Sequence, residues 1–159
     1  MLWLQSAETF ADIRIPLMAA APPSGHGPAG LFHRRRAFAG VARWNPPSMV
    51  WEHALDSDRN PGTDVGVLDL STPGWVYEDG TVDWDGGTVP FREEWELIST
   101  PGAPVHVAET TRRISVTVGR WRIDIADGRP DAVFRADRLE LCRGEWRVVG
   151  TLTVDSRRT

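Results

Sequence analysis

At 159 residues the chain has the length of about one domain and can bury roughly 70% of its unfolded surface. Hydrophobic residues at 41% and charged residues at 25% exclude a disordered chain, a collagen-like repeat and a coiled coil. All 18 basic residues are arginine, which excludes lysine Schiff-base chemistry and a P-loop lysine, and the net charge of −4 argues against a nucleic-acid or acidic-membrane binder.

The chain opens on Met1-Leu2-Trp3-Leu4-Gln5, with no basic leader region and too short an apolar stretch for a signal peptide. No window approaches the roughly 18 apolar residues of a membrane span, so a cytoplasmic protein without a membrane partner is the expectation. Alternation of apolar and polar residues then dominates, the mark of half-buried strands. It predicts strands over 13–15, 38–44, 49–55 and 65–70, bounded by breakers such as Asn45-Pro46-Pro47 and Pro61-Gly62. Residues 18–36 break the pattern and predict a flexible Pro/Gly-rich loop with one helical turn before Phe38.

Segments 75–78 and 81–84 flank Asp79-Gly80, a pair suited to a type I′ turn, which predicts a tight hairpin there. A longer strand follows over 88–98. Six more are expected over 105–109, 114–118, 121–125, 132–135, 138–142 and 146–154, separated by glycine turns. Alternation places Trp121, Ile123 and Ile125 on a dry face, and likewise Trp146, Val148 and Leu152. The total of about ten to twelve strands with short connections and no crossover helix predicts an all-β fold. Its economical closure is a single antiparallel up-and-down barrel of about ten strands, which leaves no sheet edge open.

Familiar chemical motifs are absent or out of context. Gly25-His26-Gly27-Pro28-Ala29-Gly30 has the spacing of a dinucleotide fingerprint but lacks the strand before it and the helix after it. Arg34-Arg35-Arg36 reads as a solvated loop edge in an acidic chain. The acids from Glu78 to Glu94 miss the glycine and oxygen positions of a calcium loop, and hairpin turns explain them better. The histidines at 26, 33, 53 and 106 lack zinc spacing, and Cys142 stands alone in an apolar run. No metal, cofactor or hydrolase signature is therefore expected.

Polar residues that share a strand face with aromatics are the better candidates. On 49–55, Trp51, His53 and Leu55 fall together; on 91–97, Phe91, Glu93, Trp95 and Leu97 do. Glu93 is then the inward carboxylate, and a slip of one residue would substitute Glu94. Arg14 faces away from Ile13 and Ile15 together with Asp12, and if buried it needs a carboxylate partner. Gln5, Arg14, Trp51, His53, Glu93 and Trp95 form the candidate ligand-binding set, an aromatic lining with a few convergent polar groups.

Several blocks in consistent order carry a family likeness: Trp3-Leu4-Gln5, Ala11 to Pro16, Phe38-Ala39-Gly40, Trp51-Glu52-His53 with Asp56, Asp64-Val65-Gly66 and Glu93-Glu94-Trp95. Over roughly residues 2–98 the chain resembles a group of bacterial proteins similar to the fungal casein-kinase-interacting lipocalin-like family. The resemblance implies a calycin-like antiparallel barrel and supplies no reaction, cofactor or ligand. The Pro/Gly-rich stretch from Ala21 to Gly30 departs from that pattern.

The expected function is binding of a small, mainly apolar molecule in the barrel. Two rivals follow from the same residues. One is an enzyme using His53 with Glu93 or Glu94 as an acid/base pair, or a haem-binding barrel using His53 or His106. The other is a non-catalytic interaction scaffold with a solid interior and an apolar outer patch; a homo-oligomer is not indicated.

Overall fold

The structure, a computed structural model, describes residues 1–15, 35–58, 62–84, 86–98, 102–129 and 132–155, apart from the side chain of Trp84. The glycine-rich fingerprint-like stretch, His26, His33, Arg34 and most of the expected 18–36 loop lie outside these residues. The fold is all-β and antiparallel, as alternation predicts.

Seven strands form the first sheet: β1 (Leu2–Gln5), β2 (Thr9–Arg14), β3 (Arg36–Asn45), β4 (Ser48–Asp56), β5 (Thr63–Asp69), β6 (Trp75–Trp84) and β7 (Gly87–Glu96). Five form the second: β8 (Val105–Thr110), β9 (Arg113–Val118), β10 (Trp121–Asp127), β11 (Val133–Cys142) and β12 (Glu145–Asp155). Within each sheet every strand pairs antiparallel with the next in sequence. The described strands thus divide between two sheets instead of running round one ring. The first sheet curls into a half-barrel, which brings the Trp3 ring on β1 to 5.3 Å from the Trp95 ring on β7.

The second sheet packs its β9–β11 face on the outside of β1–β3. Leu2, Leu4, Ala11, Ile13, Ala37, Ala39 and Leu55 from the half-barrel meet Ile114, Val116, Ile123, Ile125, Phe134, Ala136 and Leu152. The three alanines on β2 and β3 admit the larger rings and branches of the facing sheet, so the layers interdigitate. Each fully buried Phe or Ile in this layer contributes on the order of 1.5–3 kcal/mol relative to exposure. Inside the half-barrel, Phe10, Phe38, Ala42, Met49, Trp51, Leu68 and Val76 form a second apolar cluster against Trp3 and Trp95. Strands β2 and β3 are therefore covered on both faces.

Four local expectations are corrected. Asp79-Gly80 is not a hairpin turn; β6 runs through it, and the chain reverses after Trp84. Gly80 pairs with Phe91, and a Cβ there would lie 2.5 Å from Cζ of that ring, so the glycine serves close approach of an aromatic instead of a bend. Segments 132–135 and 138–142 belong to one strand, β11, whose register against β12 shifts between Arg138 and Leu139. Val149 is the extra residue, and it reverses the facing of everything before it on β12. Leu152 points into the core, while Trp146 and Val148 lie on the opposite, outer face, 37% and 53% exposed. A like shift on β4 pairs Ala39 with Leu55 but Gly40 with His53, leaving Ala54 unmatched. Trp51 and His53 accordingly face inward and Leu55 faces the second sheet, which separates the three residues that plain alternation grouped.

Candidate functional site

The bulge at Ala54 builds the polar side of the interior. On an unbroken strand His53 and Asp56 would point to opposite faces, being three residues apart. The extra residue turns both inward, and His53 Nδ1 lies 2.8 Å from Asp56 Oδ2, with both side chains buried. His53 Nε2 lies 3.2 Å from Oδ2 of half-exposed Asp64 on β5, though out of line for a hydrogen bond. The imidazole stacks on Phe38 at 4.3 Å. Burial disfavours its charge, but the two carboxylates outweigh that penalty and raise its pKa. Burial likewise pushes Asp56 and Asp64 upward, and their contacts with His53 overcome it and lower both. Arg36 Nη2 donates to Asp56 Oδ2 at 3.1 Å and completes the cluster.

A second cluster centres on Arg14. Its Nε donates to Asp12 Oδ2 at 2.8 Å, and Nη1 and Nη2 donate to the two Glu93 oxygens at 2.7 and 3.2 Å. This fork joins β2 to β7 across the interior, and the guanidinium also lies over the Phe38 and Trp95 rings. Glu93 is thus the inward carboxylate, while Glu94 is exposed. Burial raises the pKa of both Asp12 and Glu93 despite their shared arginine. Beside them stands Glu78 on β6, 8% exposed, whose carboxyl is pushed up to about 7 by burial and by the neighbouring Glu93. The Trp95 indole draws that value down a little yet makes no hydrogen bond of good geometry.

Two spaces open on these residues. The inner one holds about 20 Å³ and is bounded by Asp12, Arg14, Asp64 and Glu78 with the rings of Trp3, Phe10, Phe38, Trp51 and Trp95. That volume suits about one water-sized group. The outer one is a cleft of about 700 Å³ between β1 and the β7 end, walled by Trp3, Trp44, Trp95 and Trp121 with Met49, Leu68, Leu70, Val76, Leu97 and Ile98. Gln5, Glu94 and Glu96 supply its polar rim. Trp3 and Trp95 line both spaces.

Of the six candidates from the sequence, Trp95 borders both spaces, Gln5 the cleft, and Arg14 and Trp51 the inner chamber. Gln5 Oε1 accepts a 3.4 Å hydrogen bond from Trp51 Nε1, tying the two together. His53 and Glu93 stand behind the chamber wall as partners of Asp56 and Arg14. Both His53 nitrogens face carboxylates and its side chain is wholly buried, which leaves no open axial face for haem. His53 pairs with Asp56, whereas Glu93 pairs with Arg14. His106 sits on exposed β8. Sequence reading missed Trp3, Trp44, Trp121 and Glu78 as wall residues; the alternation of Trp3 with Leu2 and Leu4 was the available signal for the first.

No family model, curated protein or solved structure matches this chain.

Proposed function

We propose that the protein binds a small, mainly apolar molecule in the cleft between β1 and β7. The carrying observation is a space of about 700 Å³ walled by four indole rings and aliphatic side chains with a sparse polar rim. Small-molecule sites have that volume and that composition. The half-barrel, its strands joined in simple sequence order, is read as an opened lipocalin-like barrel whose mouth is the cleft. The ligand enters from solvent; no nucleic acid or membrane takes part, and the setting is cytoplasmic.

The reading is tested by native mass spectrometry of protein purified without added ligand, alongside a Leu68→Trp variant that fills the cleft. A retained small molecule in the parent, lost in the variant, is the expected result. No retained mass, together with no change in tryptophan fluorescence on titrating n-alkanes and n-alkanols, would end it. A second reading, an interaction scaffold, draws on the outer face of β11 and β12, where Leu141, Trp146 and Val148 are exposed together.

A further inference from the structure

The inner chamber carries more charge than its size explains. Three carboxylates, Asp12, Asp64 and Glu78, line it against the Arg14 guanidinium; Glu93 stands directly behind, and His53 faces Asp64 alone of the three. Arg14 is already committed to Asp12 Oδ2 and to both Glu93 oxygens. Asp12 Oδ1 is buried with no hydrogen-bond partner, and Glu78 has no ion pair among the described residues although it is more than nine-tenths buried. Two open acceptors therefore border a space that holds about one small group.

Open donors are present too, since Trp3 Nε1 and Trp95 Nε1 are buried without hydrogen-bond partners. Magnitudes decide between them. An orphaned indole N–H costs less than an uncompensated buried charge. The chamber accordingly favours a cation over an anion, and its aromatic walls favour a cation further. The volume excludes a trimethylated or guanidino head and admits an ammonium. Trp3 and Trp95 line both the chamber and the apolar cleft, so the two spaces adjoin at these rings, and a molecule that spans them passes between the two indoles.

Resting on the ligand-binding reading above, we propose that the occupant is an amphipathic primary amine. Its ammonium lies in the chamber between Asp12, Glu78 and the rings of Trp3 and Trp95, and its hydrocarbon lies in the cleft. The ammonium donates to Asp12 Oδ1 and to the Glu78 carboxylate, and supplies the positive charge that Arg14 alone does not.

The experiment titrates n-octylamine, 1-octanol and octanoate by tryptophan fluorescence at pH 7.5 into the parent, Glu78→Gln and Glu109→Gln proteins. In the parent, octylamine is expected to bind about tenfold or more tighter than either of the others, and Glu78→Gln to cut the octylamine-to-octanol affinity ratio about fivefold. Glu109→Gln, on exposed β8 away from both spaces, is expected to change that ratio by less than about twofold, as a solvated charge does. A measurement on the parent alone stands beside the variants. Glu78 is faced by Asp12, Arg14, Asp64 with its partner His53, Glu93 and Trp95; its pKa of about 7 means that lowering the pH to 5.5 protonates it, and the same ratio should fall. Equal binding of octylamine and octanol, tighter binding of octanoate, or an equal loss in Glu109→Gln overturns the amine while leaving the cleft reading intact. Binding of none of the three overturns the cleft reading itself.

Discussion

Arg14 opposes the burial that raises the pKa of Asp12 and Glu93. Replacing it with methionine leaves Asp12 and Glu93 facing each other without a cation, and should cost about 3–5 kcal/mol in urea unfolding at pH 7. Adding Glu93→Gln to that variant should recover part of the loss, because one stranded charge is removed. Glu78 behaves in the opposite way. Its folded pKa of about 7 lies above the ordinary value of 4.5, so the native state holds a proton that the unfolded chain has released between those two values. Stability should therefore fall as pH rises from about 4.5 to 7, then level off. Glu78→Gln should match the parent near pH 5 and exceed it at pH 8 by on the order of 1–3 kcal/mol, read from paired denaturation curves. His53 adds its own fall at higher pH: its raised pKa contributes stability below the ordinary histidine range that is lost as pH climbs through the folded value. The inward aim of Glu93 was legible from its alternation with Trp95, whereas Glu78 was hidden by the expected turn at Asp79-Gly80.

Bulges govern the strands, and they are what alternation cannot foresee. One extra residue at Ala54 swings Asp56 to the side of His53, and another at Val149 turns Trp146 and Val148 outward. Both insertions lie within hairpins, where Gly40 pairs with His53 and Arg138 with Gly150, so a window shorter than the whole hairpin carries no trace of them. Gly40 is the exception that marks its bulge. A Cβ there would lie 1.9 Å from the Glu52 carbonyl oxygen and 2.8 Å from the Ala54 nitrogen, both backbone atoms that cannot swing aside. Gly40→Ala should thus destabilise by about 3 kcal/mol or more and loosen the His53–Asp56 pair, seen as a lowered His53 pKa by NMR titration. By contrast Trp146→Thr with Val148→Thr should change stability by less than about 1 kcal/mol, because both side chains already meet water. Leu152→Ala, four residues beyond Val148 and past the bulge, should cost about 2–5 kcal/mol.

For the molecule as a whole, the all-β class and the antiparallel order were legible, because each is a sum of local periods and turns. The division into two sheets was not, since whether β7 meets β8 or the chain leaves to start a second layer depends on packing between remote faces. That packing should make unfolding cooperative across both sheets. Phe134→Ala should cost about 3–5 kcal/mol and shift fluorescence and far-UV circular dichroism midpoints together, although the residue lies in the second sheet and the indoles lie mainly in the first. Strands β2 and β3 are the party wall between the two compartments, with Ala11, Ile13, Ala37 and Ala39 pressed outward and Phe10, Asp12 and Phe38 inward. Such a wall has no slack side. Whatever leans on it from the chamber is felt by Ile123 and Phe134 behind, so a fluorinated phenylalanine at 134 would act as a listening post, reporting a tenant it never touches.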